Sequence, residues 1–126
     1  MRLALIPLLA LVIAGCGDEQ DTASPASDTE LVVRVDADGT GPAPAQELRV
    51  SCSEPSPACA AAEKLAPEDF APVPADRACT QIFGGPETAS VKGRLHGEPV
   101  AGRFARSNGC EMARWESVSA LLAEVK

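Results

Sequence analysis

The sequence predicts an α+β domain: an antiparallel sheet of about five strands with one or two short helices packed on one face, closed by two disulfides. Three observations carry this expectation. Several segments alternate apolar and polar residues and are rich in β-branched types, two others space their apolar residues as helices do, and four cysteines follow an export signal. Those cysteines are Cys52, Cys59, Cys79 and Cys110, and an even set in an oxidising compartment reads as two disulfides with three pairings open.

The first strand is expected over residues 31–36 (LVVRVD), which are β-branched and alternate. A loop with Gly and Pro over residues 37–45 leads to residues 47–52 (ELRVSC), where Leu48, Val50 and Cys52 face one way. A tight Ser/Pro loop between Cys52 and Cys59 enters residues 58–65 (ACAAAEKL), a short helix by the spacing of its alanines and leucine, and Pro67 then opens a turn. Residues 88–95 (TASVKGRL) place Ala89, Val91, Gly93 and Leu95 on one side. His96-Gly97 makes a hairpin turn into residues 98–107 (EPVAGRFARS), whose Val100 and Phe104 face the core. Pro99 lies near the start of that strand, where a sheet tolerates it. In residues 111–125, Met112, Trp115, Val118 and Leu122 have helical spacing, and a helical turn followed by a terminal strand stays open there.

Ahead of the domain, residues 1–15 read as a lipoprotein signal peptide. Arg2 supplies a positive head, and residues 3–13 an apolar run interrupted by Pro7, shorter than the about 20 residues that span a bilayer. The run ends in Ile13-Ala14-Gly15-Cys16, which resembles a lipobox, so Cys16 is the expected lipidation site and the acylated N-terminus after cleavage. Each buried methylene contributes about 0.8 kcal/mol, and two acyl chains suffice for stable attachment. Residues 16–30 are then the lipidated cysteine and a flexible acidic tether, with GDEQDTASPASD over 17–28 polar, small and without apolar periodicity. The domain proper covers residues 31–126, and the expected location is extracytoplasmic, lipid-anchored to the cell membrane.

Composition narrows the function. The formal net charge is −7, and loss of Arg2 with the leader leaves the remainder more acidic, which argues against nucleic acid as a partner. There is one His and no Tyr, and no nucleophile with its base, carboxylate pair or phosphate cradle has informative spacing. Gly84-Gly85-Pro86 reads as a turn. A metal site built from the thiols and His96 would call for Cys-x-x-Cys spacing that is absent, and His96 belongs to a turn. Neither catalysis nor a metal or cofactor is expected.

The informative stretch is residues 77–86 (RACTQIFGGP), followed downstream by Ser107-Asn108-Gly109-Cys110-Glu111-Met112. In order, the chain has a strand ending in Val-Ser-Cys, an Ala-Cys-Ala helix start, a Cys-x-x-aliphatic-aromatic-x-x-Pro segment, a Val-x-Gly-x-x-x-Gly-x-x-Val hairpin and Ser-Asn-x-Cys-Glu-Met. This order resembles the subtilisin inhibitor-like family of serine-protease inhibitors from residue 31 to about residue 122. The resemblance implies the pairing Cys52–Cys59 and Cys79–Cys110, the same α+β sandwich, and a homodimer formed through the sheet. It further implies an exposed loop that enters a protease cleft as a substrate does. On that mapping Cys79, Thr80 and Gln81 are the third, second and first residues before the scissile bond, and Gln81–Ile82 is the reactive bond. Ala78 and Phe83 are further loop contacts, Phe83 on the leaving side. Asn108 matches the residue that hydrogen-bonds the loop from beneath. The implied partner is an extracellular subtilisin-like serine protease.

The chain also departs from the family pattern. The family usually presents Met or Lys before the scissile bond, often with Pro ahead of it, where this chain has Gln81 and Thr80. Gly84-Gly85 lengthens the loop by one residue, and the loop from Cys52 to Cys59 is shorter than in the secreted inhibitors. Two functions therefore stand: a surface-anchored inhibitor, and alternatively a lipoprotein that uses the fold as an interaction or structural module without inhibiting.

Overall fold

The computed structural model describes residues 27–40 and 45–126. The signal peptide, Cys16 and residues 17–26 of the tether lie outside the described residues. Within them, β1 (Glu30–Asp36), β2 (Gln46–Ser51), β3 (Thr88–Leu95) and β4 (Glu98–Ala105) form one antiparallel sheet in the order β2-β1-β3-β4. Helix α1 (Pro57–Glu63), a 3₁₀ turn (Pro67–Phe70) and helix α2 (Gly109–Leu122) complete the domain. The α+β class holds, while the expected five strands are corrected to four. The C-terminal segment, where the sequence leaves a terminal strand open, is helical, because Val118, Leu121 and Leu122 bury one face of α2 at helical spacing.

Alternation along each strand separates two faces. Leu31 and Val33 of β1, Val50 of β2, Ala89 and Val91 of β3 and Val100 and Phe104 of β4 are buried on the inner face. The register sets Val33 opposite both Leu48 and Val91, so the apolar positions of neighbouring strands lie side by side. α2 closes this face with Val118, Leu121 and Leu122, and α1 with Ala62, while Leu65 and Phe70 fill the margin. The β3–β4 turn uses His96 and Gly97 with φ of 50° and 82°, the left-handed pair a two-residue hairpin needs. The His96 N–H donates to Thr29 Oγ1 at 3.1 Å and its Nε2–H to the Leu65 carbonyl at 3.1 Å. The lone histidine thus ties the hairpin to the segment after α1.

Both disulfides have the expected pairing, Cys52–Cys59 and Cys79–Cys110. The first joins the end of β2 to α1, whose N-terminus is set by Ser56 accepting from the Cys59 N–H at 3.0 Å and by Pro57 at the first helical position.

One side chain that no sequence pattern singles out holds three segments together. Arg114 on α2 donates from Nε to the Ala71 carbonyl at 2.9 Å and from Nη1 to the Arg103 carbonyl at 2.8 Å. It also donates to the Phe70 carbonyl at 3.4 Å and pairs with Glu111 at 2.8 Å. Its guanidinium lies 4.8 Å from the centre of the Phe104 ring, which packs edge-on against Phe70 at 6.1 Å. The 3₁₀ turn, β4 and α2 thereby share one cation. The Arg114 side chain is only 15% exposed, so Arg114→Ala should leave carbonyls poorly solvated and cost about 2–3 kcal/mol. A urea titration checks this: the midpoint should fall with the slope unchanged, and a midpoint equal to that of the parent would contradict it.

Candidate functional site

The segment between the 3₁₀ turn and β3 passes over the N-terminal end of α2. Residues 77–85 are neither helical nor paired in the sheet, and Ala78, Thr80, Gln81, Ile82 and Phe83 are exposed while Cys79 is half-buried. Ile82 and Phe83 are 58% and 69% exposed, the large hydrophobic side chains that stand out in this way among the described residues. Each forgoes part of the about 1.5–3 kcal/mol that full burial would contribute, and the two neighbours form one apolar patch on the loop.

Exposed as it is, the segment is fixed on both sides of these residues. The Cys79–Cys110 bridge joins it to the second residue of α2. The Gly109 N–H donates to the Thr80 carbonyl at 2.9 Å. This amide belongs to the first turn of α2, where helix N–H groups have no partner within the helix, so the loop satisfies an otherwise orphaned donor. A Cβ at Gly109 would run into Thr80 Oγ1, so any larger residue here requires the Thr80 side chain to turn away. On the other side the Gly84 N–H donates to the Arg106 carbonyl at 2.7 Å. Arg106 pairs in turn with Glu87 at 3.3 Å, both about one-third exposed, a contact worth at most about 1 kcal/mol. Gln81 folds back, its Nε2 donating to the Cys79 carbonyl at 3.3 Å.

Asn108 acts one step away from the loop. Its Oδ1 accepts from the Glu111 N–H at 2.9 Å and caps α2. The direct bond to the loop comes from its neighbour Gly109, whose amide the capped turn aims at Thr80. An open groove of about 620 Å³ runs beside the loop on its N-terminal side, lined by Pro72, Pro74, Arg77, Thr80 and Ala113. Away from the loop, Cys52, Cys59 and Glu63 come close enough to share an ion, but the two sulfurs are bonded to each other and are not thiolate ligands.

Comparison of the chain with protein-family models, curated proteins and solved structures finds no match. The loop geometry and the motif order therefore carry the functional reading. The structure brings Ala78, Cys79, Thr80, Gln81, Ile82 and Phe83 into one exposed segment and sets Asn108 and Cys110 beneath it. Sequence reasoning misses the Gly109 amide and the Arg106 carbonyl, because main-chain partners have no side-chain signature. The small residue between Asn108 and Cys110 was the available signal for the first.

Removing the bridge with Cys79→Ser and Cys110→Ser should cost roughly 3.7 kcal/mol on the loop-closure model, and Asn108→Ala about 1 kcal/mol for the lost cap. Both variants should exchange the Gly109 amide proton faster with solvent. Unchanged exchange in Asn108→Ala would show that the cap does not position this donor.

Proposed function

We propose that the domain is a substrate-like inhibitor of extracellular subtilisin-like serine proteases, held at the cell surface by a lipid anchor on Cys16, with Gln81–Ile82 as its reactive bond. The observation that carries the reading is an exposed segment tied at Cys79, Thr80 and Gly84. Freezing a free backbone costs about 1–2 kcal/mol per residue, and a segment already held loses less of this on docking.

Docking as an added strand pairs the main chain of residues 79–81 with the protease's edge segments. The Gln81 side chain leaves the Cys79 carbonyl, a 3.3 Å contact at the surface, and enters the primary pocket, which frees that carbonyl for the protease. Gln81 suits a broad pocket and lacks the charge a trypsin-like pocket selects. Ile82 and Phe83 bury on the leaving side and recover the apolar burial they forgo in the free protein. Attack of the protease's nucleophile on the Gln81 carbonyl releases the Ile82 amine. That amine stays in place, because the Gly84 bond to Arg106 and the Cys79–Cys110 bridge hold both sides of the cut. It re-attacks the acyl-enzyme, so the bond re-forms and turnover is slow.

Titration against subtilisin tests this reading. Inhibition should be stoichiometric, Gln81→Lys should add inhibition of trypsin-like enzymes, and Gln81→Pro should abolish inhibition because proline fixes the backbone and removes an N–H. Melting temperatures of both variants should match the parent, since the substitutions lie on an exposed loop. Rapid degradation of the chain without inhibition would instead favour a non-inhibitory interaction module.

A further inference from the structure

The helices and the 3₁₀ turn cover one face of the sheet, and among the described residues no segment covers the other. That outer face carries Arg34, Arg49, Lys92, Arg94 and Arg103, all exposed, five of the eleven Lys and Arg in a chain of net charge −7. Its acids are Glu30, Glu47 and Asp36, and Glu47 is shared between Arg34 at 4.0 Å and Arg49 at 3.7 Å. Lys92, Arg94 and Arg103 have no carboxylate at ion-pair distance among the described residues. The cations are concentrated on the sheet face that no other described segment of the domain covers.

The register gives the patch a shape. Ser90 lies between Arg34 and Arg103 in one cross-strand row, which puts the two arginine backbones about 10 Å apart on either side of a hydroxyl. An open groove of about 880 Å³ reaches this row, with Arg34, Ser90, Ala101 and Arg103 in its lining. Arginines on either side of a serine in one row are donors of the kind a phosphodiester accepts, and Arg34 would exchange its long surface contact with Glu47 for it.

We propose that the outer sheet face docks on the anionic phosphodiester headgroups of the bilayer to which the chain is tethered. The proposal rests on the Cys16 anchor proposed above. Residues 17–26 separate Cys16 from Ser27 and span no more than about 40 Å even at full extension, so the domain is confined beside the headgroups. Within a Debye length of about 8 Å each cation is attracted to an anionic leaflet and strengthens attachment about fivefold. The chain enters the domain at the Arg94 end of the face, where the Asp28 carbonyl accepts from the Gly97 N–H at 2.7 Å and Glu30 opposes Arg94. The reactive segment lies at the other end of the sheet, about 25 Å away along β3, and none of its residues is on the outer face. A second copy, the occupant that the family resemblance implies, is the poorer one, because symmetric face-to-face contact would oppose two faces that each carry five cations and three acids.

The chain's lysines are Lys64, Lys92 and Lys126, and of these Lys92 lies on the outer face while Lys64 and Lys126 are exposed elsewhere. The lipidated protein is reconstituted in phosphatidylcholine vesicles with and without phosphatidylglycerol, treated with an amine-acetylating reagent and read by mass spectrometry. Lys92 should react at least about fivefold more slowly on the anionic vesicles, with Lys64 and Lys126 equal on both. High salt, or Arg34→Gln together with Arg103→Gln, should restore the Lys92 rate. Equal Lys92 rates on the two vesicles in a chain that partitions into both overturn the face and leave the anchor standing. Partition into neither vesicle overturns both. Protection of Lys92 that follows protein concentration rather than lipid charge assigns the face to a second copy and also overturns the proposal. Subtilisin titration of the same samples reads the inhibitor assignment separately.

Discussion

The first turn of α2 is the constraint on which the rest depends. Asn108 caps it, the Gly109 amide bonds the Thr80 carbonyl, and Cys110 is covalently joined to Cys79, so three consecutive residues fix the same short stretch of loop. A helix start offers donors that the helix cannot use, and here the exposed segment uses one of them. The loop is therefore as well placed as α2 itself. α2 is placed by its buried Val118, Leu121 and Leu122 and by Arg114, which reaches across to β4 and to the end of the 3₁₀ turn. Packing energy in the core is passed outward, through backbone groups, to residues that have no packing of their own.

Strands with one buried face announce themselves, which is why all four could be read within a residue or two at most ends: Val33, Val50 and Val91 each stand between polar neighbours or alternate with them. The hairpin turn was equally readable in His96-Gly97, because a two-residue turn needs left-handed backbone. The C-terminal segment was less legible. Met112 and Trp115 have the spacing of a helix yet are only half-buried, and the helix is settled by contacts with the sheet and by the Asn108 cap. Arg114 was invisible because an arginine on an amphipathic segment reads as a solvated charge. Its carbonyl partners at Phe70, Ala71 and Arg103 come from distant stretches of sequence. The cysteines and the exposed Gln81-Ile82-Phe83 run were legible, whereas the backbone bonds that hold them depend on tertiary placement.

Charge is distributed as unevenly as hydrophobicity. A net charge of −7 describes the chain but not its outer sheet face, where cations outnumber acids. The inner face supplies the core, the sheet end away from Ser27 carries the exposed segment that we propose as reactive, and the outer face is the one we propose for electrostatic contact. The strands can support a core on one face and a charged surface on the other because alternate residues face opposite ways.

The most direct measurement of the central claim is the identity of the first bond that subtilisin cuts during prolonged incubation with the chain. A substrate-like loop held at Cys79 and Gly84 presents Gln81–Ile82 to the catalytic groups. Mass mapping should accordingly find a slow first cut there, with the two pieces still joined by Cys79–Cys110 until a reductant is added. A first cut elsewhere, followed by rapid digestion of the domain, would contradict the account.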